Sequence, residues 1–298
     1  MRPPGALSDD DIAAVRVPAL HVGGWYDSLL RATLRHWWTA GTAVVPRPAQ
    51  RLVIGPWTHR LDVAHTSDAR GRFPLGTFYL LWITGSAPAG TTCARVFVQG
   101  AQRWIEAAHW PNPTDEWILH LGCHSRLVDD PSGQAGADTF RYDPTDPFPS
   151  APRCGGEDPE RRSDLQRYSI PALAQPLTIS GIPQVELYVR TDQPDTDWIA
   201  RLLHEDPGGR RNALGWGCVT TEAPGDHFVR IELTPTSATV SPGARLHLEI
   251  TSSYFPELAR SLGGPDRYRG LPKGPTTQTI LRGPGVDSRL HLPLADST

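Results

Sequence analysis

The sequence predicts an α/β lobe followed by an all-β domain. Two short apolar runs, Val17–Val22 and Leu52–Ile54, enclose an amphipathic segment, which is the pattern of two parallel strands joined by a crossover helix. The rest of the chain has many short runs of alternating apolar and polar residues between turn clusters, with no helical period. With 30 Pro and 28 Gly in 298 residues, this part favours a β-sandwich, specifically a jelly roll.

The segment between the two apolar runs predicts one amphipathic helix. Its apolar residues recur near i, i+4 and i+7 or i+8, which places them on one face. Ser28 is the expected N-cap and Gly41 the expected end of the helix. The residues of the apolar face are Leu30, Leu34, Trp37 and Trp38. We expect the two tryptophans to pack in the core beside the sheet.

Each of the two strands ends in chemically capable residues. The first is followed by GGWYD, residues 23–27, and the second by GPWTH, residues 55–59. In open α/β sheets the carboxyl ends of parallel strands carry the site, so Asp27 and His59 are expected to meet in one crevice as a catalytic acid–imidazole pair. The alternative is that Asp27 caps a helix and His59 is an ordinary loop histidine.

At these residues the chain resembles a known family. The strings VPALHVGGWYD and QRLVIGPWTH resemble the C-terminal part of the α/β-hydrolase core in the cocaine esterase / X-Pro dipeptidyl-peptidase family of serine hydrolases. The resemblance implies that Asp27 is the triad acid and His59 the triad base. It also implies that Trp25, Tyr26 and Trp57 line a substrate pocket. The implied reaction is ester or amide hydrolysis through an acyl-serine, which needs no metal or organic cofactor.

The nucleophile is the point at which the sequence departs from this family. The triad of an α/β-hydrolase follows the order Ser, Asp, His, with the Ser on a G-x-S-x-G elbow. The 298 residues contain no such elbow, and Ser28, at the start of the helix, is a poor substitute. We therefore expect a truncated α/β-hydrolase lobe that is inactive alone. A non-enzymatic jelly-roll binding or interaction module is the alternative, and the presence of a nucleophile discriminates the two.

The expected domains are residues 1–92, the incomplete hydrolase lobe, and residues 93–298, the jelly roll. Residues 1–16 are expected to be a polar lead-in, and Phe73–Thr84 a final helix or buried linker. Two regions, Arg153–Arg167 and Gly215–Glu222, look short against the family pattern and are expected to leave a strand edge uncovered. The predicted strands of the second domain include Leu177–Ile179, Gln184–Arg190, Trp198–Leu203, Phe228–Leu233, Arg245–Thr251 and Ser288–Leu294.

Composition excludes several classes of function. The net charge of −3 and the scattered arginines argue against nucleic acid as a partner. No apolar run approaches the roughly 20 residues that span a bilayer, and the N-terminus lacks a signal-peptide pattern, so a cytoplasmic location is expected. The four cysteines have no C-x-x-C spacing. The expected partners are a small ester, amide or peptide substrate, a separately encoded N-terminal half, or a second copy of the chain.

Two groups of acidic and imidazole side chains are candidate metal sites. The first consists of His59, Asp62, His65 and Asp68, and the second of Asp192, Asp195 and Asp197. Neither matches a zinc or calcium spacing, so the first is interpreted as a solvated loop and the second as a strand connection.

Overall fold

The computed structural model describes residues 8–42, 50–59, 93–150, 162–264 and 269–296. The chain divides into two compact units: Met1–Asn112 with Ser237–Thr239, and Pro113–Thr236 with Val240–Thr298. The segment Phe73–Thr84, expected to be a helix or linker, lies outside the described residues.

In its described residues, the first unit is built on a four-stranded sheet. Its elements are α1 (Asp9–Ala13), β1 (Ala19–Gly24), α2 (Leu30–Thr39), β2 (Gln50–Gly55), β3 (Cys93–Val98) and β4 (Arg103–Ala107). The strand order is β1-β2-β3-β4, with β1, β2 and β3 parallel and β4 antiparallel. In the register of the first pair, Gly24 lies opposite Gly55. The predicted unit of strand, helix and parallel strand is confirmed.

The division between the units differs from the predicted boundary at residue 92. Strand β3 pairs with β2 in parallel, with Val96 opposite Ile54, and β4 pairs with β3, so this hairpin completes the first sheet. The alternating residues of both strands suit either kind of sheet, which is why the pattern alone assigned them to the jelly roll. Strand β2 pairs with β1 on one side and with β3 on the other. Among the described residues, β1 therefore lies at the edge of the parallel strands.

Helix α2 packs as its pattern predicts, but it begins differently. Leu30, Leu34 and Trp37 are buried and share a core cluster with strands β2 and β3. Gly41 has φ +69°, the left-handed conformation that ends many helices and suits glycine. The prediction that Ser28 is the N-cap is wrong, because the N-cap position falls on Leu29 and no side chain caps it there.

The lead-in contains a short ordered helix, which the composition did not indicate. Ser8 caps α1 through a capping box with Asp11, each side chain bonding to the other residue's backbone N–H. Ile12 is 3% exposed, and Arg35 of α2 donates to Asp9 at 2.8 Å. The expected polar lead-in is therefore wrong for the part between Ser8 and Ala13.

The second unit consists almost entirely of strands. The described strands are β5 (Asp115–Gly122), β6 (Arg126–Val128), β7 (Gly136–Tyr142), β8 (Leu165–Ser169), β9 (Leu177–Gly181), β10 (Gln184–Thr191), β11 (Thr196–Glu205), β12 (Arg211–Thr221), β13 (Gly225–Glu232), β14 (Thr236–Val240), β15 (Arg245–Thr251), β16 (Thr276–Arg282) and β17 (Arg289–Leu294). The middle of β14, Ser237–Thr239, belongs to the first unit. The main path runs β12-β11-β15-β8-β6-β5-β17-β10-β16-β7, and β13 pairs with β10. All six strands predicted for this domain are present.

The region Gly215–Glu222, expected to be short, lies mostly in the 11-residue strand β12. This strand ends the main path, but its outer side is partly covered, because Thr234 and Trp216 exchange hydrogen bonds of 2.8 and 3.0 Å. A Cβ on Gly217 would lie 2.1 Å from the carbonyl oxygen of Glu232, so only glycine permits this approach. The other region expected to be short lies largely outside the described residues, which resume at Arg162.

Candidate active site

The carboxylate of Asp27 is fixed by the first turn of the helix that follows it. Its Oδ1 accepts the backbone N–H of Leu29 at 2.8 Å, and its carbonyl accepts that of Leu30 at 3.1 Å. The Asp27 N–H donates to the Gly24 carbonyl at 3.1 Å, which closes the turn after β1. The Asp27 side chain is only 6% exposed. The alternative predicted for Asp27, that it caps the start of the helix, is therefore met. A catalytic role would be additional to it.

The structure brings His59 to this carboxylate. His59 Nδ1 lies 3.3 Å from both Oδ1 and Oδ2 of Asp27, while the imidazole is 71% exposed. The separation is long for an N–H···O hydrogen bond. Hydrogen bonds between catalytic side chains are often this long before substrate binds. An Nδ1–H directed at the carboxylate leaves Nε2 with the lone pair, which is the form of imidazole that accepts a proton.

Backbone hydrogen bonds continue from the β1–β2 pair into the two loops. The Trp25 N–H donates to the Gly55 carbonyl at 2.9 Å, and the Tyr26 N–H donates to the Trp57 carbonyl at 3.0 Å. The proximity of the acid and the imidazole therefore follows from the parallel register of the two strands.

The three aromatic residues expected to line a pocket have different environments. Trp57 is 2% exposed and packs 5.8 Å from Trp104, centroid to centroid. Trp25 is partly buried, and its Nε1–H donates to the Phe97 carbonyl at 2.6 Å. Tyr26 is 47% exposed. Of the three, Tyr26 alone presents a large open surface, and a role in substrate binding remains a proposal.

Strand β3 contributes contacts that the sequence did not reveal. Besides the carbonyl of Phe97, Gln99 at the end of β3 accepts a hydrogen bond from the Tyr26 hydroxyl at 3.0 Å. The carboxyl end of a third parallel strand thus lies beside the Asp27 loop. The apolar run Val96–Val98 is the sequence signal for this strand, but its alternating pattern predicts a place in the other domain.

Of the two candidate metal sites, only the second lies within the described residues, and its carboxylates do not share a site. Asp62, His65 and Asp68 lie outside the described residues. Asp192 accepts from Gln193, Asp195 from Ser261 and Asp197 from Thr220, so these three carboxylates have separate partners. Among the described residues, no group of three or more His, Cys, Asp or Glu side chains is placed to hold a metal ion.

The fold and site together define an α/β lobe with an acid–imidazole pair, followed by a strand-rich domain. The sequence pattern of the X-Pro dipeptidyl-peptidase C-terminal non-catalytic domain matches residues 90–291, and that of the X-Pro dipeptidyl-peptidase S15 family matches residues 5–60. The chain belongs to the X-Pro dipeptidyl-peptidase C-terminal domain family, which confirms the predicted family. The first match begins near the predicted boundary at residue 92, before the spatial division after Asn112.

Individual proteins are similar to this chain over most of its length. The cocaine esterase of Rhodococcus sp. (strain MB1 Bresler) is 29% identical over 332 aligned residues, which cover 95% of this chain and 57% of that protein. The chain thus spans little more than half the length of this relative. Two solved structures share the fold with a TM-score of 0.81, an alpha-amino acid ester hydrolase at 21% identity and an aminopeptidase from a marine sediment Thaumarchaeota archaeon at 20%. Each match covers 96% of this chain and 57% of the other, and confirms the predicted fold class.

No helix in the described ranges is long and apolar enough to cross a membrane.

Proposed function

We propose that Asp27 and His59 are the acid and base of a serine hydrolase that cleaves esters or amides through an acyl-serine. The observation that carries this proposal is the 3.3 Å separation between His59 Nδ1 and both Asp27 oxygens, at the ends of adjacent parallel strands. Sequence similarity to an esterase supports the substrate class, a small ester, amide or peptide.

In this mechanism Asp27 orients the imidazole and His59 moves the proton. A serine Oγ attacks the substrate carbonyl carbon while His59 Nε2 takes the hydroxyl proton, and Asp27 stabilises the resulting imidazolium. His59 then gives that proton to the departing alkoxide or amine, leaving an acyl-serine. Water, activated by His59 in the same way, hydrolyses the acyl group and regenerates the serine. No metal ion or organic cofactor is required.

The serine comes from a segment outside this sequence, since no G-x-S-x-G elbow occurs in it. We propose that this segment docks on the first unit at the carboxyl ends of β1 and β2. The high exposure of His59, 71%, supports this, because a general base needs its serine at hydrogen-bond distance and its surroundings shielded from water.

The test is to supply the missing segment. We would co-express the chain with the elbow-bearing N-terminal part of a related esterase and measure hydrolysis of p-nitrophenyl acetate by the purified complex. We expect activity that Asp27→Asn lowers strongly and His59→Ala lowers by a factor of roughly 10⁴ or more.

His109→Ala is the matched control, because His109 is also an exposed histidine of the first unit and has no place in the mechanism. It should leave the rate unchanged. Activity that survives His59→Ala in a folded complex would refute the assignment.

A second candidate function is a non-enzymatic binding or interaction module. It is favoured by the description of the family that matches residues 90–291 as a non-catalytic domain. The chain could form a stable complex with the elbow-bearing segment, and that complex could hydrolyse no ester or amide. This result would support the binding module over the hydrolase.

A further inference from the structure

Trp57 lies where the two loops of the site meet. Its carbonyl accepts the N–H of Tyr26, the residue before Asp27, at 3.0 Å, and the chain continues from Trp57 through Thr58 to His59. One residue is thus hydrogen-bonded to the loop that carries the acid and covalently part of the loop that carries the base.

The space around Trp57 leaves it little freedom. A Cβ added to Gly24 would lie 2.0 Å from the Trp57 carbonyl oxygen, and one added to Gly55 would lie 2.6 Å from the indole ring. Neither glycine has room for a methyl group, so the backbone at both strand ends packs directly against Trp57. Trp57 is 2% exposed, and its indole packs against the Gly55 backbone and Trp104, so the ring has little room to move.

Within the described part of the chain, the Asp27 carboxylate is the one side-chain hydrogen-bond partner of the His59 imidazole. The side chain of His59 is 71% exposed, whereas that of Asp27 is 6% exposed and is held by the Leu29 N–H. The imidazole therefore depends on the backbone that leads to it, and the buried anchor of that backbone is Trp57.

We propose that Trp57 is a positioning residue that holds the His59 imidazole within reach of the Asp27 carboxylate. Its effect on hydrolysis rests on the proposed function, but the positioning is a property of the first unit and can be measured without any reaction. The resemblance implies a different role, in which Trp57 lines the substrate pocket, and the kinetic experiment below distinguishes the two.

The first experiment measures the NMR resonances of the His59 ring in the chain alone. These resonances are assigned because they disappear in His59→Ala. When Trp57 is intact, Asp27→Asn should shift these resonances, because the carboxylate lies 3.3 Å from Nδ1. In Trp57→Phe the shift caused by Asp27→Asn should be largely lost. Trp37→Phe is the matched control, since Trp37 is equally buried at 4% exposure but lies on helix α2, and it should keep the full response.

Gly55→Ala tests the same contact from the opposite side, since the added methyl group would displace the indole, and it should also abolish the response. If Trp57→Phe does not fold by circular dichroism, Trp57→Tyr replaces it with a larger ring. A full Asp27→Asn response in folded Trp57 and Gly55 variants would overturn the proposal, as would the absence of a response in the unmodified chain.

The second experiment measures kinetics in the complex that carries the serine elbow. Misplacement of the base by about 1 Å costs roughly 100-fold in rate, so Trp57→Phe should lower kcat by up to that factor while KM stays nearly constant. A rise in KM at constant kcat would instead indicate a substrate-binding role and overturn the proposal. If no complex is active, the proposed function fails, and the NMR result alone decides the role of Trp57.

Discussion

His59 Nδ1 lies 3.3 Å from each carboxylate oxygen of Asp27, yet the two side chains have opposite exposure, 71% for the imidazole and 6% for the acid. The acid is built into the start of a helix, while the base faces outward. In the proposed mechanism, this asymmetry keeps the acid fixed and leaves the base available to a group supplied by another segment.

The chain alone should therefore show no hydrolysis that depends on His59. Any slow turnover of p-nitrophenyl acetate should be the same for the unmodified chain and for His59→Ala, because the sequence holds no serine elbow for His59 to activate. Stopped assays with purified protein measure this. A rate abolished by His59→Ala, together with a fluorophosphonate adduct on the chain, would show that a serine within these residues is the nucleophile.

Asp27 should also stabilise helix α2, independently of any reaction. Asp27→Ala removes the acceptor of the Leu29 N–H and should cost about 1 kcal/mol locally. Amide hydrogen exchange in the first turns of α2 should accelerate by a factor of about five, since that factor corresponds to about 1 kcal/mol. Asp27→Asn keeps an acceptor oxygen and should have a smaller effect. Ser28→Ala should have none, and acceleration by Ser28→Ala alone would restore Ser28 as the cap.

The parts of the fold that the sequence predicted are those with a local signal. The face of Leu30, Leu34 and Trp37 has helical spacing, and its burial follows from that spacing. The proximity of Asp27 and His59 follows from a topological rule, that adjacent parallel strands end at the same edge of a sheet.

The parts that the sequence did not predict depend on tertiary pairing. Strand β3 joins β2 only through long-range hydrogen bonds, and the alternating residues around Val96 do not specify which sheet receives them. The same limit hid the bond between Tyr26 and Gln99, which are 73 residues apart. Burial of Trp57 against Gly24 and Gly55 required the register of two strands to be known.

A buried histidine in the second unit should make stability depend on pH. His247 is 4% exposed, with Nδ1 2.7 Å from the Ser169 hydroxyl and Nε2 3.3 Å from a Glu205 oxygen. Burial is the largest cause lowering the pKa of His247 below 6.5, and the positive charge of Arg211 adds to it, while Glu205 opposes both. The folded protein thus keeps this imidazole neutral where the unfolded chain begins to protonate it.

Because the folded pKa of His247 is depressed, its contribution to stability is present above pH 6.5 and is lost as pH falls below it. The melting temperature should fall between pH 7.5 and pH 5. The His247→Gln variant should have a lower melting temperature at neutral pH, but that temperature should fall less with pH. Each pKa unit of depression corresponds to about 1.4 kcal/mol. His109→Gln, an exposed control, should keep the slope of the unmodified protein. Parallel slopes for His247→Gln and the unmodified protein would contradict this account.

Glu186 should contribute to stability at neutral pH through its two arginine partners. Its side chain is 7% exposed and accepts hydrogen bonds of 2.6 Å from both Arg230 and Arg289. Burial alone would raise the pKa of Glu186, but the bonds from Arg289 and Arg230 outweigh it and lower the pKa to about 2. This stabilisation is present above pH 4.5 and is lost as pH falls toward 2.

Arg289→Ala should therefore destabilise the second unit by about 1–2 kcal/mol in urea unfolding at pH 7, since it leaves a largely buried carboxylate with one guanidinium fewer. The matched control is Arg190→Ala, because Arg190 and its partner Asp226 are each 57% exposed, and it should leave the free energy of unfolding nearly unchanged. Equal losses for the two variants would show that burial of Glu186 adds nothing to its ion pairs.

The outer edge of β1 should mediate association of the first unit. In the described part of the chain, β1 ends the strand order and pairs with β2, and Val17 just before it is 64% exposed. Parallel strands are normally covered, and an open edge recruits another strand, so we expect either self-association that increases with concentration or binding of the serine-bearing segment. Sedimentation velocity at increasing protein concentration measures this association.

Val17→Lys should reduce association, as charged edge residues do, whereas Leu271→Lys, at a 90% exposed leucine of the second unit, should not. A chain that stays monomeric at every concentration and binds no elbow-bearing segment would show that the first unit needs no partner at this edge.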